Sequence, residues 1–387
     1  MYPETDEGEL VQRHGIQSAL LVPDPKPLGR FNPAVTVLAA TPEDTSAIIE
    51  VFQSAFGASA LGGPDIIERY LAWAYDDNPQ RDARSPSHRI GVLDGKVVAA
   101  ISRLHVTVLI NGTRVPASWG QNDAVRSEFQ RMQIGSAMGN VAWSDANLTM
   151  GAGRSSAGKA KSRSRGVQTF LDVTPFVSRK LGKSGQLRGV LRQCRRGQFR
   201  DGARVLAALL RTTISGARTA RGATVTCVAF FDAEVDKFFA SLAKVIPVMV
   251  ERTSATLNWF LGNPRLQIQS FLARRNGEIC GYALVRRDGL ILDLLVHPED
   301  ADAFDALVEE VVRWCAERSV TELSGIAPRI PALGELYARA GFMVQPEVDF
   351  MFGYRWMFSE GDPAIQNPRN WYLSMADSDL WSFRLKK

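Results

Sequence analysis

Cysteine and histidine are both scarce in this 387-residue chain, with four of each. Cys194, Cys227, Cys280 and Cys315 lie far apart and form no CxxC pair, and His14, His88, His105 and His297 are equally scattered. That spacing argues against a zinc site or a disulfide framework, so reduced thiols and no metal are expected. Long apolar runs are missing too. The stretches 223–231 and 238–250 are too short to span a bilayer, and Lys244 interrupts the second. The apolar run at 18–23 is too short for a secretory signal. A cytoplasmic protein is the expectation. What remains, 45% apolar and 22% charged residues, is the composition of a globular chain long enough for two domains.

Acids are missing where bases crowd. Between Arg179 and Arg221 stand twelve Lys or Arg residues and one acid, Asp201. Arg154, Lys159, Lys161, Arg163 and Arg165 form a second block with no acid among them. Such blocks attract phosphates, anionic membranes or nucleic acid, or simply form a solvated basic face. Within the longer one, Val205, Leu206, Leu209 and Leu210 fit a helix docked on a neighbouring domain or lying on a membrane.

The rest of the chain reads as alternating elements. Residues 1–32, rich in Pro, Gly and charge, look like a leader. A strand at 35–38 precedes Thr41-Pro42-Glu43-Asp44, a helix start with Thr at the N-cap and Pro after it. Ile48, Ile49, Phe52 and Phe56 recur at helical spacing, and a second helix is predicted over 65–75. A β-meander follows at 89–93, 97–110 and 114–121, punctuated by Asp94-Gly95 and Asn111-Gly112, both suited to two-residue hairpins. Then come a helix at 134–144 and short strands at 148–150 and 167–172. The second half repeats the plan: a strand at 224–230, a helix over 234–250, strands at 267–273, 279–285 and 291–296, a long helix carrying Phe304, Leu307, Val308, Val311 and Cys315 on one face, a strand at 321–326, a helix at 330–340 and a strand at 350–358.

Local echoes support duplication. Leu71-Ala72-Trp73 precedes Asn78-Pro79, and Leu257-Asn258-Trp259 precedes Asn263-Pro264. The offsets Trp73 to Trp259 (186), Asn78 to Asn263 (185) and Gly95 to Gly277 (182) nearly agree, as two copies of one unit require. The division expected is a leader (1–32), a first domain (33–180), a basic, partly helical linker (181–222), a second domain (223–358) and an aromatic tail (359–387) that packs back onto a domain, with the acceptor cleft as one place for it.

The element order resembles the GNAT N-acyltransferase fold over most of 33–180 and 223–358. The resemblance implies an α/β (α+β) architecture of two tandem domains, each a mixed, mostly antiparallel sheet flanked by helices. Its first carrier is the run from Val125 and Arg126 through Gln130, Arg131, Met132, Gln133, Ile134, Gly135 and Ser136. It resembles the acyl-CoA motif Arg/Gln-x-x-Gly-x-Gly/Ala that leads into a helix, with Gln130 and Gly135 in place and Gln133 where the family has its middle glycine. The physics of such a turn stands on its own: unpaired amides and the helix dipole converge on one spot that suits a pyrophosphate, and Arg126 and Arg131 can add charge. The second carrier, Tyr337-Ala338-Arg339-Ala340-Gly341-Phe342, is similar to the Tyr-x-x-x-Gly-Phe ending of GNAT domains. It implies that Tyr337 protonates the leaving thiolate, although Leu333, Leu336, Tyr337 and Ala340 also share the spacing of a packed helix face. The third, Leu292 to Glu299, resembles the strand leading into the CoA loop, but Glu299-Asp300-Ala301-Asp302 replaces the phosphate-binding run. Acids there repel phosphate. The second half is therefore expected to have lost the cofactor, an arrangement similar to that of tandem GNAT proteins with one working domain.

In the first half the position matching Tyr337 falls near Ser162, where no tyrosine stands. Asp123, beside the motif strand, is the candidate base or amine-orienting group, with a surface acid at a strand end as the alternative; His105 reads as packing. The function implied is N-acyl transfer from acetyl-CoA, or another acyl-CoA, to the amine of a small molecule by direct attack in a ternary complex. Two other readings stay open: a catalytically degenerate pair serving as a binding scaffold, and an aminoacyl-tRNA-dependent transferase that uses the basic linker as its nucleic-acid contact. The acceptor, the acyl chain length and the oligomeric state are not legible.

Overall fold

The computed structural model describes residues 34–57, 63–83, 85–142, 145–152, 168–170, 175–181, 222–345, 352–356 and 362–382. The leader, the basic block 154–165 with Ser162, and nearly all of the basic linker, Cys194 included, lie outside the described residues. Among those described, no helix is long and apolar enough to cross a membrane.

Strand β1 is Thr36–Ala39. The Thr41 amide donates to Asp44 at 2.8 Å, closing a capping box around Pro42. Helix α1, Thr45–Phe56, buries Ile48, Ile49, Val51 and Phe52, but Phe56, expected on the same face, is 40% exposed at the helix end. Helix α2, Pro64–Leu71, continues into a π-wound turn, Ala72–Asp76. The wider turn buries three successive residues, Trp73, Ala74 and Tyr75, which ordinary helical winding spreads around the axis.

The meander is β2 (His88–Leu93), β3 (Lys96–Ile110) and β4 (Thr113–Val125). Asp94 and Gly95 (φ 49° and 68°) and Asn111 and Gly112 (φ 50° and 79°) are all left-handed, the geometry that matches strand twist in a two-residue hairpin. Helix α3 (Ile134–Ala142) and strands β5 (Leu148–Ala152), β6 (Gln168–Phe170) and β7 (Phe176–Lys180) complete the first half.

The second half opens with β8 (Thr224–Val228) and α4 (Glu234–Leu242). The helix predicted over 234–250 stops at Leu242, and Val248–Val250 is strand β9. Pro247 has no amide to donate and disfavours helix before it, and β-branched Val248 and Val250 suit a strand. There follow α5 (Ser254–Leu261), the meander β10 (Ile268–Arg275), β11 (Glu278–Arg286) and β12 (Ile291–Val296), then α6 (Ala301–Glu317), β13 (Glu322–Ile326), α7 (Pro331–Arg339), β14 (Met343–Val344) and β15 (Phe352–Trp356). The tail adds α8 (Pro363–Gln366) and β16 (Trp371–Tyr372).

Two strands change places between the halves. In the first sheet the order is β1-β2-β3-β4-β5-β15-β6, so β15 lies between β5 and β6. Reciprocally, β7 lies between β13 and β14. Each half thus completes its sheet with a strand from the other, and β9 also joins the first sheet beside the far end of β3. The halves meet on Trp73 and Trp259, whose rings stack at 4.5 Å and 4°. Each indole Nε1 donates to the other residue's carbonyl, both at 2.7 Å. Asn78 and Asn263 close the same turn five and four residues later, each side-chain oxygen accepting the amide two residues on. The repeat seen in the sequence is therefore an isologous contact, the same patch meeting itself across a pseudo-two-fold axis. Each half is a mixed, mostly antiparallel sheet flanked by helices.

Candidate functional site

Strands β4 and β5 run parallel but pair only from Ala117 with Leu148 to Trp119 with Met150. Beyond Trp119, β4 bulges: its register with β3 slips between Ala100 and Ser102, and Asn122 takes φ 49°. The pairing ends where the bulge begins. Beyond it lies a stretch of β4 that β5 does not pair. Arg103 of β3 lies against it. Its guanidinium is 1% exposed, with Nη1 bonded to the Ser102 carbonyl (2.8 Å) and 3.3 Å from Asp123. A Cβ on Gly120 would come within 3.1 Å of that Nη1, so glycine lets the guanidinium lie against the strand. Asp123 stands further along the same stretch with its side chain 59% exposed.

From Val125 the chain turns through residues 127–129, a 3-10 turn, into α3. Arg131 (φ 70°) and Gln133 (φ 62°) both adopt the left-handed conformation. The first inward bond of the helix runs from the Ser136 amide to the Gln133 carbonyl at 3.0 Å. Among the described residues the amides of Arg131, Met132, Gln133 and Ile134 find no acceptor. Open amides at the start of a helix are the geometry that favours an anion. Gln130, Arg131, Met132 and Gln133 are exposed around this turn, Ile134 is buried beneath, and Gly135 and Ser136 are half-buried in the first turn of the helix. Arg126 is placed differently from its expected role. It donates to Glu50 at 2.7 Å and to the Val97 carbonyl at 2.9 Å, so its charge is spent on α1 and β3.

On the opposite face of β4 two phenols meet the bulge. Tyr70 and Tyr75 both donate to Gln121 Oε1, at 3.4 and 3.3 Å, and Asn122 Nδ2 donates to the Tyr75 hydroxyl at 3.2 Å. Burial pushes Tyr70 up to about 12 and holds Tyr75 well above the ordinary phenol range, so both keep their protons at neutral pH. Neither of these hydroxyls stands out in the sequence. They come from α2 and its π-turn, not from the position near Ser162, and no local motif marks them. His88, half-buried on β2, bonds Ser102 at 3.0 Å and meets the edge of Tyr75; burial drops its pKa to about 4. His105 is 4% exposed and packed, as read from the sequence, and burial lowers its pKa too.

In the second half the matching strand edge is covered by the chain's tail. β12 bulges against β11 between Leu284 and Val285, and toward β13 it keeps only the bridge Leu290–Ser324. The tail lies along β12: the Ala376 amide donates to the Leu292 carbonyl at 2.8 Å, and the Tyr372 hydroxyl donates to the Leu294 carbonyl at 3.0 Å. At the start of α6, Asp300 accepts the Ala303 amide at 3.0 Å and a two-pronged contact from Arg275, both arms at 2.8 Å. Burial opposes its ionisation, but Arg275 and that amide outweigh it and hold Asp300 below the usual carboxylate range. A carboxylate of the chain itself therefore sits at this helix N-terminus, where the first half has open amides. Tyr337 on α7 is 3% exposed, set edge-on between Phe304 and Phe342, and burial raises its pKa far above normal. The structure places it in the core of the second half and does not bring it to Asp123 or to the α3 turn.

A β-bulge, a splayed strand pair, and a turn of open amides entering a helix, all following a meander, define the GNAT fold, and comparison with solved structures agrees. No protein-family model matches the chain, and no curated protein is similar to it in sequence. A GCN5-related N-acetyltransferase from Anabaena variabilis ATCC 29413 superposes with a TM-score of 0.57 at 12% identity, over 84% of this chain and 73% of that one. A protein from Enterococcus faecalis V583 described as a probable N-acyltransferase gives 0.57 at 13% identity over the same shares. A GCN5-related N-acetyltransferase from Kribbella flavida gives 0.52 at 12%, over 84% and 72%. At such identities the likeness is one of fold.

Proposed function

We propose that the chain is an acyl-CoA-dependent N-acyltransferase acting on a small-molecule amine, with the first half as the working domain. One contrast carries the reading. The turn into α3 presents open amides, whereas the equivalent turn into α6 holds Asp300 locked to Arg275. In this reading the diphosphate of the acyl-CoA rests on Arg131 to Ser136 and the pantetheine arm enters between β4 and β5 beyond Trp119. The amine attacks the thioester carbonyl from the Tyr70–Tyr75 face; the C–N bond forms as the C–S bond breaks. Asp123 receives or orients the amine proton. A buried phenol, Tyr75 or Tyr70, returns a proton to the thiolate, a suitable exchange because the phenol is fully protonated before transfer. Tyr337 serves packing. Acetyl-CoA is the simplest donor, and the neighbours described as N-acetyltransferases support it.

The test is calorimetric titration of acetyl-CoA and longer acyl-CoAs into wild type and Gly135→Glu protein. We expect binding by wild type and at least a tenfold loss in the variant, since a carboxylate would stand in the first turn of α3. Failure of every acyl-CoA to bind wild type would sink the proposal and return attention to the basic segments 154–165 and 181–222.

A further inference from the structure

At the end of α6 lies an open cavity of about 370 Å³. That volume falls in the range that holds a small organic ligand, roughly 300–1,000 Å³. Its walls are Gln267, Ile268 and Gln269 at the start of β10, Arg287 just past β11, and Trp314 and Arg318 at the end of α6. Strand alternation brings these side chains together. Gln269 and Phe271, two apart on β10, point to one face. Phe271 meets the Trp314 ring edge-on at 6.0 Å, so that face is the one α6 covers. Gln269 is opposite Val285, and two residues outward the Arg287 amide donates to the Gln267 carbonyl at 3.0 Å. Gln267 and Arg287 therefore share the face of Gln269. Trp314 and Arg318 look back at them from the helix, one turn apart.

The walls carry two guanidiniums, two carboxamides and an indole, and no carboxylate. The nearby acids are engaged with other groups. Asp288 holds Arg286 through two bonds of 2.7 and 2.6 Å, and Glu317 is divided between Arg318 at 3.2 Å and Arg313 at 3.8 Å. Arg287 gives Nη1 to a neutral acceptor, Gln267 Oε1, at 3.0 Å, and among the described residues it pairs with no carboxylate. A guanidinium has five N–H groups, so most of Arg287 is left to donate. Arg318 is held in place over the Trp314 ring, 4.5 Å from its centre, with Nη1 on the Trp314 carbonyl at 3.0 Å. Its bonds to Trp314 and Glu317 both fall on Nη1, which leaves Nε and Nη2. The negative end of the helix does not oppose an anion here. Besides the Trp314 carbonyl, that of Cys315 accepts the Arg318 and Val320 amides, and that of Ala316 the Ser319 amide. Trp314 itself is 8% exposed, and its Nε1 finds no acceptor among the described residues. This wall thus holds more donors than the chain's own acceptors satisfy.

We propose that this cavity binds a small molecule bearing an oxyanion, phosphate or carboxylate, on a hydroxyl-rich body. Arg287 from the strand side and Arg318 from the helix side take the oxyanion in charge-assisted bonds. The carboxamides take the hydroxyls: Gln267 has its amide nitrogen to give, because its oxygen accepts from Arg287, and Gln269 has its oxygen, because its nitrogen donates to the Ser270 carbonyl at 3.2 Å. The site is built wholly from the second half and is independent of the acyltransferase reading.

The experiment is calorimetric titration of glucose 6-phosphate and of gluconate into the full chain, with acetyl-CoA in excess so that the turn into α3 does not compete. Glucose is the neutral control. At least one of the two anions should bind, tenfold or more tighter than glucose, and which of them does so tells phosphate from carboxylate. Arg287→Gln should weaken that anion at least fivefold, and Arg287→Lys, which keeps the charge, should weaken it less. Arg287 is exposed, so both variants should melt as wild type does. Arg318→Gln should weaken the anion at least fivefold as well; if that variant melts early, the Arg287 pair decides the case. Absence of binding by both anions, equal binding of glucose, or an unchanged affinity in Arg287→Gln overturns the proposal. The last of these places the anion on the basic segments 154–165 and 181–222 instead. Acetyl-CoA binding with neither anion bound overturns it and leaves the acyltransferase reading standing.

Discussion

Gln133 offers the sharpest test of the anion seat proposed at α3, because one substitution there acts on stability and on ligand binding through different physics. Its φ of 62° puts an L-residue in the left-handed region, which costs about 1–2 kcal/mol relative to the right-handed one. Gln133→Gly removes that strain. Glycine's greater freedom in the unfolded chain gives back about 0.5–1 kcal/mol, so the net gain is about 0.5–1 kcal/mol. Gln133→Ala keeps the strain and loses only an exposed side chain. Urea melts should therefore rank the glycine variant above wild type, with alanine close to wild type. Ligand binding follows a different order. Both variants clear the side chain from beside the open amides, so both should bind acetyl-CoA more tightly, by up to about tenfold or 1.4 kcal/mol. Equal stabilities for the glycine and alanine variants would refute the strain argument. Unchanged affinity in both, with Gly135→Glu also binding normally, would remove the cofactor from this turn.

Three further outcomes follow from the packing. Trp73→Phe and Trp259→Phe each delete one ring N–H bond to the partner's carbonyl, so each should destabilise by about 1–2 kcal/mol in urea. A loss confined to one of them would contradict the symmetric contact. His88 falls from an ordinary 6.5 to about 4 on folding. Above pH 6.5 both states are neutral and its contribution is fully present; between 6.5 and 4 the unfolded chain takes the proton first, and up to about 3 kcal/mol is lost. His88→Gln should flatten the fall of melting temperature over that window, even though Arg81 and His105 bear on the same ring; an unchanged profile would show that His88 takes the proton freely when folded. Arg275→Met should destabilise the start of α6 without creating a second coenzyme A site, because Asp300 remains; calorimetry giving two sites per chain would show that Arg275, and not the acid, blocks the second half.

Much of the fold was legible because its signals are local. Asp94-Gly95 and Asn111-Gly112 fixed the hairpins of the first half, and both positions of each turn carry positive φ. The Trp–Asn-Pro echo marked the pseudo-symmetric contact. The turn into α3 was legible from Gln130 and Gly135, since a turn entering a helix is a local feature as well. The partners of the bulge were not. Tyr70 and Tyr75 reach Gln121 across 51 and 46 residues, and the π-turn that aims Tyr75 has no sequence signature. The exchange of β7 and β15 was equally hidden, because a strand's periodicity tells which face is buried and says nothing about which sheet receives its edges. Helix 234–250 failed for a local reason that was available: Pro247 stands inside it.

The exchange also bears on what the second half does for the first. β15 supplies the strand beside β5, pairing from Phe352 with Ala152 to Trp356 with Leu148, and β5 is the strand whose pairing with β4 ends at Trp119. The tail that lies along β12 is also tied to Arg252 through Asp377. The second half thus supplies the strand beside β5, and that contribution does not depend on its binding a cofactor. With Asp300 at the α6 terminus, the β12 edge is where the chain's own tail docks. The second half can hold the first half's sheet whether or not it binds a ligand, provided that the strands they exchange keep the two in register.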